Sequence, residues 1–486
     1  MTYPEWVEKY REAGKEIKQI HGRFYLYERK TVWDKDKKQP KKISGAYLGR
    51  ITEDGLLPPK KAMVNKDTLS NIVDKQYGGT AFLEQIGEDI RNNLEKHFPN
   101  HWRSIWVLAL LRTIDPQPFK RAENAYEHSW LSEKYSGLNM SKQYLSSFLR
   151  LLGDMRGHSI DFMKEYIKDA EHLLFDGTRI TSFSEEMQLA QIGYNSAHSY
   201  DPQVNLVYAF SSGEKSFPVY FRPVAGSICD VTAFKNCCEE LGSDKSVIIA
   251  DKGFGSAKNF KFMEENGLKY IIPLRRNCKE FDTEAIRDGY ANGFQDYFQF
   301  NGRPIWYFTR LSEDKSVQYI TYIDDTLRAK EEADYIIRLE GDFDGYTRDG
   351  FMEKRLKFGS ILLRTNTDKS PKDVYLTYKK RMQIEESFDM LKNLLQQDHS
   401  YMRSDVSFAG WAFINHISLM LCYRLYDALQ EADVLKKYSL KDAIYYLNDI
   451  RVIKINGRWQ FAETTKKARS LLKDLACDEF VAGFPG

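Results

Sequence analysis

Residues 247–254 read Val247-Ile-Ile-Ala-Asp251-Lys-Gly-Phe254: four apolar residues, then an aspartate and a glycine-containing turn. Such a run predicts a short buried strand that stops at Asp251. Upstream by 75 residues, His172-Leu-Leu-Phe-Asp176-Gly-Thr178 repeats the pattern, so Asp176 is expected at a second strand end. A lone aspartate there is more often a turn residue or a helix cap. Two at strand ends of one open α/β sheet stand where catalytic residues usually sit. Around them, strands are expected at Val204–Phe210, Phe217–Phe221, Tyr270–Leu274 and Ser360–Thr365, with helices over Asp230–Leu241 and about Ala257–Asn266. The result is an α/β fold with a mixed sheet and helices against it.

A third acid is expected on a long helix from about Tyr378 to Gln396. Helical geometry puts Arg381, Glu385 and Lys392 within about 60° of Tyr378, beside the apolar arc of Ile384, Phe388, Leu391 and Leu395. With the apolar arc on the sheet, Glu385 can approach Asp176 and Asp251, whereas Glu386 points away. Three carboxylates near one point repel each other without a cation. They suit Mg²⁺, which takes hard oxygen ligands and retains waters, with Mn²⁺ as a substitute. A two-ion site of this kind activates a nucleophile and stabilises a leaving oxygen during phosphoryl transfer. Arg381 and Lys392 would then hold flanking phosphates, and Tyr378 could donate a hydrogen bond to one.

Composition agrees with a protein that builds real cores: 486 residues, 42% hydrophobic and 29% charged, long enough for about three domains. The most apolar stretch, Gly410–Tyr426, is interrupted by Asn415, His416 and Arg424, so no membrane span is expected. No export signal opens the chain, which points to the cytoplasm. The six cysteines show no C-x-x-C pair and are read as thiols, and the nine histidines form no zinc-site spacing with them.

Net charge is only +2, but residues 1–60 hold 14 Lys/Arg against 9 Asp/Glu, with Lys35, Lys37, Lys38, Lys41 and Lys42 crowded together. Strands over 22–33 and Ile43–Ile51 make this a hairpin that either contacts a phosphate backbone or is simply solvated. From about Thr68 to Lys168 the periodicity is helical. Ser141 could cap a short helix whose Leu145, Phe148 and Leu149 face inward. Lys142, Gln143, Ser146 and Arg150 would face outward, as on a helix in a major groove, although a packed helix of a non-binding domain looks much the same. Between about Arg275 and Gly359, strands Pro304–Thr309 and Val317–Ile323 read as a beta-rich insertion.

These features resemble the DDE transposases of bacterial insertion sequences, in the group with a beta-rich insertion between the second Asp and the Glu. The family's glutamate signature is Tyr, two residues, Arg, three residues, Glu, six residues, Lys; Tyr378, Arg381, Glu385 and Lys392 match every interval. Asp176-Gly-Thr178 and Asp251-Lys-Gly-Phe254 with Asn259 match the two aspartate motifs. Gly193-Tyr194-Asn195, the segment Pro223–Asp230, Thr365-Asn-Thr-Asp368 and Gly410 also look like family segments.

The resemblance implies an RNase H-like catalytic domain (169–275 and 360–430) interrupted by the insertion (276–359). Before it come a hairpin region (1–60) and a helical DNA-binding region (61–168); after it comes a helical segment (431–486) suited to dimerisation. It implies Asp176, Asp251 and Glu385 as metal-binding catalytic acids, and hydrolysis and strand transfer at the terminal inverted repeats of an element. The substrates would be double-stranded element ends and target DNA, handled by a homodimer in a prokaryotic cytoplasm. In related proteins a flipped base stacks on an insertion-domain tryptophan; Trp306 is the candidate, or else a core residue of a small beta unit. Alternatives are an RNase H-like nuclease without strand transfer and an inactive, domesticated DNA-binding protein. Likewise, Ala409–Tyr426 and Leu471, Leu472 and Leu475 could either join two protomers or complete the chain's own core.

Overall fold

Runs at 172–175, 248–250 and 270–273 are buried on both faces, which requires a sheet covered on each side. The computed structural model describes residues 3–34, 39–58, 72–168, 170–193, 200–212, 216–227, 230–242, 246–382, 393–396, 398–455 and 457–477. They form two units: one of residues up to 74 with 452–462, the other of residues 75–451 with those from 463 onward.

The first unit is built on a four-stranded antiparallel sheet, Lys15–Ile20, Arg23–Asp34, Gln39–Thr52 and Gly55–Leu57, paired in chain order. Val7, Phe24, Leu26 and Ile51 make its core. The expected hairpin is therefore present. Lys41 and Lys42 are exposed on it, as is Trp33; Lys35, Lys37 and Lys38 lie outside the described residues.

The second unit is mixed α/β around an eleven-stranded sheet. Its centre is parallel: Val247–Ala250 runs between His172–Ser182 and Lys269–Leu274. On one side Pro202–Ser212 and Ser216–Ala225 follow antiparallel. On the other, Ser360–Thr365 pairs antiparallel with Lys269–Leu274 and with Gln318–Ile323, and the sheet continues through Arg303–Leu311 to Asp296–Phe300. Strands between 296 and 323 thus extend the main sheet through Ser360–Thr365. Helices Thr283–Asn292, Asp325–Glu340 and Arg348–Lys354 accompany them.

Side-chain alternation divides the far end of this sheet into two faces. On one, Phe298 and Tyr322 pack against Tyr375 of the helix Pro371–Lys379, with the Tyr322 hydroxyl donating to Pro371 O at 2.6 Å. Trp306, Phe308, Ile323 and Leu362 pack on the other with Phe281 and Ile286.

The helix Asp405–Glu431 packs between Lys142–Asp154, Trp102–Ile114 and the strand Ser216–Ala225. By length and composition it could cross a bilayer, a reach the sequence reading did not expect, yet 83% of its most apolar window is buried inside the protein. It crosses Lys142–Asp154 at two glycines. A Cβ at Gly410 would meet Leu149 O at 2.0 Å, and one at Gly153 would meet Val406 O at 1.9 Å, so only glycine permits this approach. Leu145, Phe148 and Leu149 are buried, while Lys142, Gln143, Ser146 and Arg150 are exposed. Ser141 holds the N-cap position, but its hydroxyl donates to Asn139 Oδ1 instead of accepting from the helix. Leu471 and Leu472 are buried.

Two boundaries differ from expectation. The strand carrying Asp176 does not end there but runs to Ser182, because Pro202–Ser212 continues to pair with it through Thr181. Tyr378 does not open a helix but lies in the last turn of Pro371–Lys379, which Ser370 caps by accepting from Asp373 N; most of the helix expected to follow, 383–392, lies outside the described residues. Pro at the first position of a helix is pre-organised for that start.

Candidate active site

Parallel pairing brings the two aspartates together. Ala250 is in register with Phe175, the last pair between their strands, so Asp176 and Asp251 are the next residues on neighbouring strands. Asp251 then opens the turn Lys252–Phe254. Phe254 anchors that turn in the core against Phe234, and the buried Asn259 side chain donates to Phe254 O at 2.9 Å. The motif Asp251-x-Gly-Phe254 with Asn259 is thus a device that fixes where Asp251 leaves the sheet. The segment after Ser360–Thr365 does similar work: Asn366 accepts from Tyr270 N at 2.9 Å and donates to Leu268 O at 2.9 Å, clamping the strand beside Val247–Ala250.

Arg381 reaches both acids. Its Nη2 lies 3.0 Å from Asp176 Oδ2 and 3.8 Å from Asp251 Oδ1. The backbone puts it there by tightening: Lys380 N donates to Thr377 O and Arg381 N to Tyr378 O, three residues back instead of four. Asp176 Oδ1 also accepts from Gly177 N at 2.8 Å.

Burial dominates the electrostatics. It raises the Asp176 carboxyl above the usual range, with the Asp251 charge adding to the rise and Arg381 and the Gly177 amide opposing it. For Arg381, burial acts downward, but Asp176, Asp251 and Tyr378 outweigh it and hold the guanidinium above its ordinary value. Burial likewise raises the Tyr378 hydroxyl, against the nearby Arg381 charge, so it stays protonated at neutral pH. Two buried polar atoms here, Arg381 Nε and Thr178 Oγ1, have no hydrogen-bond partner.

Of the expected site residues, Asp176, Asp251, Tyr378 and Arg381 come together. Glu385, Lys392 and the rival Glu386 lie outside the described residues, and among the described residues no group of three or more His, Cys, Asp or Glu is placed to hold a metal. Trp306 does not join this group. Its indole stacks on Phe294 at 5.9 Å and touches Tyr297 on the sheet face opposite Tyr375. Lys142 and Gln143 sit on the exposed face of their helix, and neither takes part in the aspartate cluster. Sequence reasoning missed Arg303 and Lys379, which lie by Tyr375, one helical turn before Tyr378. Lys379 adjoins the signature tyrosine, but nothing in the sequence ties Arg303 to it.

No curated protein matches the chain. A family profile described as "Transposase DDE domain" matches residues 167–421, a span containing both aspartates, Tyr378, Arg381 and the first part of the helix Asp405–Glu431. Two aspartates on adjoining parallel strands lie inside a match covering more than half of the sequence, and the chain belongs to the transposase DDE domain family.

Proposed function

We propose that the chain is a divalent-metal-dependent DNA transposase that cuts and joins strands at the terminal inverted repeats of an insertion sequence. In this reading the second unit holds an RNase H-like domain interrupted by an insertion between Asp251 and Glu385. The observation that carries it is the convergence of Asp176 and Asp251 on Arg381, at 3.0 and 3.8 Å.

The donor set fits a hard cation. Two carboxylates from adjacent strands, one raised by burial and by the charge of the other, call for positive charge between them. Asp176, Asp251 and Glu385 would hold Mg²⁺, or Mn²⁺ in its place. When bound, the metal supplies Lewis-acid activation of the attacking oxygen and stabilisation of the leaving one.

The chain's own groups prepare the rest. Arg381 neutralises the acids before substrate arrives, and its unpartnered Nε leaves it a donor to offer a phosphate. Tyr378, kept protonated, donates to a second phosphate oxygen, and Lys392 adds a charge. Buried donors fixed before the substrate binds need little reorganisation at the moment of reaction.

The test is an assay of purified protein with its element's terminal repeats, supercoiled target DNA and Mg²⁺. Cleaved and joined products are expected with metal; in chelator, DNA should be bound and left intact. Asp251→Ala should keep binding while cleavage falls by about a thousandfold, the scale of several kcal/mol of charge stabilisation. Full activity in chelator would overturn the metal reading, and cleavage without any joined product would favour the nuclease alternative.

A further inference from the structure

On the sheet face under the helix Pro371–Lys379, two half-buried cations, Arg303 and Lys379, lie near one carboxylate, Asp324. Arg303 Nε lies 3.2 Å from Asp324 Oδ2. Asp324 is itself buried, and its other oxygen is occupied, accepting from Leu327 N at 3.1 Å as the cap of Asp325–Glu340. Among the described residues Lys379 makes no ion pair, although the charge of Asp324 attracts it; its ammonium sits over the Tyr375 ring, 5.2 Å from the centroid. Arg303 rests against Phe300, which packs edge-on against Tyr375 at 5.4 Å, so one aromatic wall holds both cations. Among the described residues the site sets two positive charges against one carboxylate.

We propose that Arg303 and Lys379 form a phosphate-binding site that grips the DNA strand next to the scissile position. The proposal deepens the transposase reading and rests on it. Three points support it. A half-buried ammonium stacked on an aromatic ring, with its nearby carboxylate already bridged to Arg303, can take an anion. Burial, with Arg303 adding to it and Asp324 opposing it, lowers the Lys379 ammonium from its ordinary value, which is what an unneutralised neighbouring cation does. The site also adjoins the catalytic group: Tyr375 feels the charges of Asp324 and Arg303 and lies near Tyr378, which in turn feels Arg381, Asp251 and Asp176. A strand held at the aspartates and continuing along this face would bring its next phosphates to Arg303 and Lys379. Arginine offers a fork and lysine a point charge, and the two together suit a phosphodiester.

The experiment measures binding of the full chain to duplex DNA of unrelated sequence, in chelator, over a series of salt concentrations, so that no cleavage is needed. Each phosphate contact contributes about 0.9 to the slope of log affinity against log salt on B-form DNA. Lys379→Gln should flatten the slope by about one unit, whereas Lys379→Arg should leave it unchanged. An unchanged slope for Lys379→Gln overturns the proposal. Should that variant fail to fold, the unaltered protein answers through lysine acetylation read by mass spectrometry. DNA should then protect Lys379, and equal labelling with and without DNA overturns the site. Protection by inorganic phosphate but not by DNA assigns the pair to a free anion and also overturns it. Failure of the transposase reading looks different: no metal-dependent cleavage, whatever the slope.

Discussion

Asp176 is a carboxylate whose surroundings oppose its own charge, and that conflict has a measurable sign. Its folded-state titration lies above the ordinary carboxylate range because of burial first and Asp251 second. A group raised in this way favours the fold fully only below its unfolded value of about 3.9, and that contribution is lost as pH rises through the folded value. Near neutral pH the wild-type fold therefore carries the cost of an ionised, buried Asp176. Asp176→Asn should melt at a higher temperature than wild type at pH 7, with the gain shrinking as pH falls toward 4, while cleavage is lost. Melting curves across that range decide it; a variant less stable at pH 7 would mean that Arg381 depends on Asp176 more than Asp176 suffers from burial. At this scale much was legible. Both aspartates, Tyr378 and Arg381 stand out in the sequence by residue type and spacing, and the fold brings them to one point. Arg381 as a bridge between the acids was not legible, because it depends on the tightened turn at Lys380 and Arg381, and a helical count assumes that no such turn exists.

Elements were legible where their own residues decide them and less so where neighbours do. Val247–Ala250 begins and ends as its apolar run says, since it is buried on both faces. His172–Ser182 outlasts its apolar run because an antiparallel neighbour supplies hydrogen bonds beyond Asp176, which no local pattern announces. The strands near 303–323 were visible as strands, but their continuity with the main sheet comes from Ser360–Thr365 lying between two partners far apart in sequence. The helix Lys142–Asp154 is the reverse case: its buried and exposed faces follow the sequence period residue by residue. Two residues of its exposed face, Lys142 and Gln143, should behave differently. If the exposed face lies in a major groove, Lys142→Ala should weaken binding to all sequences alike and flatten the salt slope by about one unit. Gln143→Ala should instead relax the preference at one base position, costing about 1–3 kcal/mol on the preferred site alone. Fluorescence titration against the terminal repeat and against point-substituted repeats separates the two. Equal losses on every duplex from both variants would place this face on the backbone and remove it from sequence reading.

The whole molecule poses a question of number. Each chain contributes one aspartate cluster, and excising an element requires cuts at two ends. The segments that the sequence offered for joining two protomers are largely spent within the chain: Asp405–Glu431 is a core helix, and Leu471 and Leu472 are buried. A paired-end assembly would therefore use surfaces exposed in each protomer, or DNA bound by both. This leads to a specific expectation. Without DNA the 56.8 kDa chain should run as a monomer at low concentration. With terminal-repeat duplex it should form a complex of two chains and two duplexes, whose mass light scattering can read directly. If DNA does the bridging, the complex should dissolve when salt is raised, in step with the loss of DNA binding. If a protein surface does it, a chain dimer should survive at salt concentrations that strip the DNA. A complex that stays at one chain and one duplex while still cutting in Mg²⁺ would mean that each cluster acts alone, as a nuclease does, and the strand-transfer reading would have to be given up.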